Sequence, residues 1–208
     1  MDKAVIYIHG QGGSVTESEY YRALFDDCDV IGFDYTSQFP WDAKNEFTNF
    51  FDSVCEKYEN VSLVANSIGA FFAMNAFINK KIKAVYFISP VVDMENLILD
   101  MMRWANVSES ELREKGNVKT DFGQELSWEY LSYVREHPVC WSVPTHILYG
   151  EKDNLVSYKT VCEFAEKNRA TLTVMKDGEH WFHTDEQMRF LGDWIKSLLD
   201  KPAGGSPK

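Results

Sequence analysis

The sequence predicts an α/β fold: a doubly wound, mostly parallel six-stranded sheet with a helical insertion. Six short runs rich in Val, Ile, Tyr and Phe are apolar on both faces. A strand reads that way when helices cover both sides of a parallel sheet. Amphipathic or capped helical patterns lie between most of these runs, the alternation that a doubly wound sheet requires. Only the stretch between Ser89 and Thr145 breaks the rhythm, with helical pieces and no convincing strand.

The first strand is Ala4–Ile8. Thr16-Glu17-Ser18-Glu19 has the pattern of a capping box, so a helix is expected from there to about Asp26. Val30–Tyr35 is the second strand. Ala43–Tyr58 sets Phe47, Phe50, Phe51, Val54 and Tyr58 at helical spacing. Val61–Ala65 is the third strand and leads into Ile68–Asn79, apolar almost all round and therefore a helix buried on most sides. Ala84–Ser89 is the fourth strand. The insertion follows, with helices expected at Met94–Trp104, Ser108–Lys115 (ended by Gly116) and Ser127–His137. Thr145–Tyr149, a helix over Ser157–Asn168 and Thr171–Met175 complete the sheet. A second capping box, Thr184 to Gln187, opens a last helix with Leu191, Trp194, Ile195 and Leu198 on one face.

Size and charge narrow the function. At 208 residues the chain fits one domain, against a prior of roughly 150 residues each. Residues 1–200 are expected to form it, with the insertion at about 91–143 and a flexible tail at 201–208. Lys plus Arg number 21 and Asp plus Glu 32, so the formal net charge is −11. An acidic surface repels phosphate backbones, which argues against a nucleic-acid partner. The longest nearly apolar stretch, Ile68 to Ile78, is shorter than the ~20 residues of a membrane-spanning helix. The N-terminal MDKAVIYIHG does not read as a signal peptide. Cys28, Cys55, Cys140 and Cys162 form no CxxC pair and read as reduced thiols of a cytoplasmic protein. No HxxxH or HxH pair offers a metal site, and no cofactor is expected.

Four segments could carry chemistry, each at the carboxyl end of an expected strand, where open α/β sheets bind their ligands. Ala65-Asn66-Ser67-Ile68-Gly69 places a serine between small residues in a strand-to-helix turn, which forces its hydroxyl outward. The helix start behind it favours developing negative charge. His9-Gly10-Gln11-Gly12-Gly13-Ser14 lacks the spacing of a dinucleotide loop and the lysine of a phosphate loop, so a backbone oxyanion trap fits it better. Gly150-Glu151-Lys152-Asp153 and Asp177-Gly178-Glu179-His180 follow the fifth and sixth strands. Asp93 and Glu151 are rivals to Asp153, and His183 is a rival to His180. His9 is expected to shape its loop, His146 to be a hydrogen-bonded structural residue, and His137 to end an insertion helix.

With these motifs the chain resembles the α/β-hydrolase superfamily from residue 4 to about 199. HGQGGS looks like the oxyanion loop, ANSIGA the nucleophile elbow, YGEKD the acid turn and GEHWF the histidine loop. Ala65 stands where glycine is commoner, and the two antiparallel strands that lead the family's sheet are absent. The resemblance implies a minimal sheet in the order 2-1-3-4-5-6 and a lid in the insertion. It also implies a Ser67 nucleophile, a His180 base, an orienting Asp153, and oxyanion donors at the backbone N–H groups of Gln11 and Ile68. The expected substrate is a small-molecule carboxylic ester with an apolar acyl or aryl group, taken up by a monomer or homodimer. Trp104, Trp128 and Trp181 are candidate pocket walls. Thioesterase, lactonase or peptidase chemistry, a perhydrolase, and a ligand-binding protein with little turnover are the alternatives.

Overall fold

The computed structural model describes residues 2–77 and 80–200. Its core is a parallel six-stranded sheet in the order β2-β1-β3-β4-β7-β8. The strands are β1 (Lys3–Ile8), β2 (Asp29–Phe33), β3 (Asn60–Asn66), β4 (Val85–Ile88), β7 (Thr145–Gly150) and β8 (Thr171–Met175). The six expected strands are all present, in the expected 2-1-3-4-5-6 order.

Side chains that alternate along these strands divide between two cores. Ile6, Ile8, Leu63, Ala65, Phe87 and Ile147 pack on one face with α2 (Pro40–Cys55), α3 (Ile68–Ala76) and α7 (Tyr158–Asn168). Val5, Tyr7, Val64, Ile88 and Leu148 pack on the other with α1 (Ser18–Arg22) and α8 (Asp185–Leu199). Both faces are buried, so neither face of the central strands carries a polar stripe. Pro40 opens α2, where its missing N–H costs no hydrogen bond. The Thr184 hydroxyl accepts from the Gln187 N–H, and Gln187 Oε1 accepts from the Thr184 N–H, which starts α8 at the expected box.

The first expected cap is displaced. A single 3₁₀ turn, Val15–Glu17, precedes α1, and Glu17 Oε1 accepts from the Ser14 N–H at 3.3 Å. The cap therefore sits two residues earlier than Thr16, and α1 ends at Arg22, short of Asp26. The Leu24 and Phe25 N–H groups both return to the Tyr21 carbonyl, which tightens the chain and stops the helix. Ile78 and Asn79, expected to end α3, and the tail 201–208 lie outside the described residues.

Between β4 and β7 lie α4 (Met94–Trp104), α5 (Glu109–Lys115) and α6 (Trp128–Glu136). The expectation of no strand here is corrected: β5 (Asn117–Lys119) and β6 (Glu125–Ser127) form a small antiparallel hairpin. Each has three residues, too few to show alternation, and Gly123 at φ 82° completes the turn. Arg135 on α6 donates to Glu95 on α4 and, through two nitrogens, to Glu109 on α5. No helix among the described residues is long and apolar enough to cross a membrane.

Candidate active site

Ser67 sits between β3 and α3 at φ 50°, ψ −120°. A non-glycine residue in such a region costs of order 1–3 kcal/mol and persists only when its surroundings enforce it. Here they do. The Ser67 N–H donates to the Ile88 carbonyl at 3.0 Å, and the Ser67 carbonyl accepts from Val91 N–H at 3.0 Å. Gly69 lets the first turn of α3 lie against β1, since a Cβ there would stand 2.5 Å from the His9 carbonyl oxygen.

The Ser67 hydroxyl is 2.9 Å from His180 Nε2, and His180 Nδ1 is 2.7 Å from Asp153 Oδ2. The Asp153 side chain is wholly buried, while His180 keeps 18% of its side-chain exposure. The other carboxylate oxygen, Oδ1, accepts from the Leu155 and Val156 N–H groups at 2.9 Å each. Those bonds fix the carboxylate plane and replace the water that burial removes. The two loops are also tied to each other: Lys152 N–H donates to the Gly178 carbonyl at 2.7 Å and Glu151 N–H to the Met175 carbonyl at 3.0 Å. Gly150 permits that approach, because a Cβ on it would lie 2.4 Å from the Glu179 carbonyl oxygen.

The rivals are engaged elsewhere. Asp93 caps α4, accepting from the Asn96 backbone and side chain at 3.0 and 2.8 Å. Glu151 accepts from the Asp177 N–H. His183 is 2.8 Å from the Trp181 carbonyl. His146 bonds Thr171, His137 closes α6 against the Tyr133 carbonyl, and His9 stacks on Tyr35 at 4.3 Å. Among the described residues, no group of three or more His, Cys, Asp and Glu is arranged to hold a metal ion.

Two cavities meet at Ser67. A cleft of about 570 Å³ lies on the histidine side, lined by Gly10–Gly13, Glu17, Asn66, His180 and Trp181 among others. A pocket of about 130 Å³ lies under the insertion, lined by Ile68, Met94, Leu97, Ile98, Met101 and Leu126 among others. Gln11 borders both. A Cβ on Gly10 would come within 3.1 Å of Ser67 Cβ, so the glycine loop passes directly over the serine. Trp181 lines the larger cleft. Trp104 and Trp128, expected as walls, line neither cavity. Trp104 is half exposed and packs edge-on with Phe122, while the guanidinium of Arg113 lies over the Trp128 ring. Sequence reasoning missed the cleft residues Glu17, Tyr7 and Tyr20. Their spacing reads as a capped helix and a core strand, with no chemical pattern.

The architecture can be compared with solved structures. Est1E from Butyrivibrio proteoclasticus superposes with a TM-score of 0.75 over 96% of this chain and 88% of that one, at 14% identity. The chain has the α/β-hydrolase fold. Mouse alpha/beta hydrolase domain-containing protein 10 shares it, with a TM-score of 0.70 at 18% identity over 95% and 89% of the two chains. So does a Pyrococcus furiosus esterase, at 0.60 and 19% identity over 96% and 81%. No family model and no curated protein matches the sequence itself. Within the α/β-hydrolase fold of this chain, Ser67, Asp153 and His180 follow β3, β7 and β8.

Proposed function

We propose that the chain is a serine hydrolase of carboxylic esters, with Ser67 as nucleophile, His180 as general base and Asp153 as the orienting carboxylate. One observation carries this reading: the hydrogen-bonded series Ser67–His180–Asp153, at 2.9 and 2.7 Å. A solved Pyrococcus furiosus esterase with the same fold supports it.

The hydroxyl of serine is too weak an acid to attack a carbonyl unaided at neutral pH. His180 Nε2 takes its proton as the oxygen attacks, and Asp153 holds the Nδ1–H tautomer and stabilises the imidazolium. The N–H groups of Ile68 and Gln11 are assigned to the tetrahedral oxyanion. Loss of one such donor typically costs about 10²–10³ in rate. His180 then protonates the departing alkoxide and activates the water that releases the acid. The insertion over Ser67 is assigned the role of a lid that bounds the acyl pocket.

A fluorophosphonate probe tests the nucleophile. It should label the wild type and leave Ser67→Ala unlabelled; labelling that survives the substitution overturns the assignment. Nitrophenyl esters from acetyl to decanoyl should be cleaved with a preference for short chains. The pocket under the insertion is smaller than the ~300–1,000 Å³ of sites for drug-sized ligands.

A further inference from the structure

We propose that the cleft on the histidine side of Ser67 receives a polyhydroxylated alcohol, and that Glu17 is the residue that recognises it. The inference rests on the serine-hydrolase reading and deepens it.

Geometry first divides the ester between the two cavities. In acylation the Ser67 proton passes to His180 Nε2, the serine oxygen bonds to the carbonyl carbon, and the bond from that carbon to the alcohol oxygen breaks. The departing oxygen takes the proton back from Nε2. The alcohol must therefore lie on the side of His180, in the larger cleft. The acyl group lies opposite, in the pocket lined by Met94, Leu97, Ile98, Met101 and Leu126. The reaction thus assigns an apolar site to the acid and the 570 Å³ cleft to the alcohol.

That cleft has an apolar side, formed by Ile88, Phe182, Met188 and Leu191, and a polar one. The polar side carries the Glu17 carboxylate and the amides of Gln11 and Asn66, with the Tyr7 hydroxyl buried behind them and the Tyr20 hydroxyl donating to the Met188 carbonyl. Glu17 Oε2 accepts from the Tyr7 hydroxyl, Oε1 accepts from the Ser14 N–H, and Asn66 Nδ2 donates to the Tyr7 oxygen at 3.0 Å. A carboxylate has roughly four acceptor sites, so capacity remains for donors from a ligand. An alkyl alcohol would strip water from this wall and return no hydrogen bond, which is costly. A phosphorylated or otherwise anionic alcohol would meet Glu17 with no lysine or arginine on the lining to offset it. Hydroxyl groups suit the set better than an ammonium. They donate to the carboxylate and also accept from the amides, whereas an ammonium only donates. Trp181, 69% exposed and stacked on His183, offers a flat face at the mouth for the C–H face of a polyol or sugar.

Glyceryl butyrate and propyl butyrate test this, since they share one acid and differ only by two alcohol hydroxyls. The expected kcat/KM for the glyceryl ester is at least about tenfold higher, as for sites built to bond a substrate hydroxyl. Glu17→Gln should pull that ratio toward one. The ratio is the readout because Glu17 also braces the oxyanion loop through Ser14, an effect common to both esters. Equal rates on the two esters in the wild type, an unchanged ratio in Glu17→Gln, or faster cleavage of butyrylcholine than of glyceryl butyrate would each overturn the proposal. If neither ester is cleaved and the fluorophosphonate fails to label, the hydrolase reading fails separately. Calorimetry on Ser67→Ala with N-(2,3-dihydroxypropyl)butyramide and N-propylbutyramide then reads the cleft without turnover. Tighter binding of the dihydroxy compound supports polyol recognition, and equal affinity refutes it.

Discussion

Asp153 shows how much one residue settles. Both its oxygens are committed, Oδ1 to two backbone donors and Oδ2 to His180. In Asp153→Asn the two N–H groups still demand an oxygen, so the new NH₂ must face His180 Nδ1. The imidazole is then forced to carry its proton on Nε2 and cannot accept from Ser67. The expected result is a fall of about 10⁴ in kcat with little change in the urea midpoint; retention of most activity would show that the tautomer is set elsewhere. The sequence placed Ser67, Asp153 and His180 at strand ends because strand runs and the turn glycines beside them are local signals. Glu17 was not legible in the same way. Its partner beyond the neighbouring Ser14 loop, Tyr7, meets it through tertiary packing. Only the helix-cap half of its role leaves a trace in spacing.

Elements were readable in proportion to their length and burial. α3 announces itself through a nearly continuous apolar run, and its buried residues from Gly69 to Asn75 account for that run. The β5–β6 hairpin gives no such run, because only Leu126 of its six residues is buried. Two elements carry tests. At the end of β7, Gly150→Ala should separate the acid turn from the histidine loop. Overpacking of this kind costs typically 1–3 kcal/mol, and kcat/KM should fall with stability because His180 and Asp153 are pushed apart. On α2, burial pushes the Glu46 carboxyl up, but bonds from the backbone and hydroxyls of Ser37 and Thr36 outweigh it and hold the group below its ordinary 4.5. A lowered folded value means stability that is full above the unfolded value and is lost as pH falls through the folded one. Glu46→Gln should therefore cost about 1 kcal/mol at neutral pH, allowing for solvent screening. The difference between the two urea midpoints should close in acid.

At the scale of the whole molecule, the insertion is fastened to itself and to the site. Arg135 joins α4, α5 and α6, and the Gln124 side chain of the hairpin reaches Gln11 in the glycine loop at 3.5 Å. Arg135→Ala should make residues 105–127 the first point of cleavage in limited proteolysis while the sheet remains intact. Uniform resistance would show that packing alone holds the insertion. The order β2-β1-β3-β4-β7-β8 also has a consequence in time. During synthesis β1 to β4 emerge before the insertion and are neighbours in the sheet, so the strained serine turn can form with its Ile88 and Val91 partners in the first part of the chain. His180, the proposed base, arrives only after β8, with the insertion produced in between. A nascent chain thus holds a shaped serine turn without its histidine partner until β8 has left the ribosome.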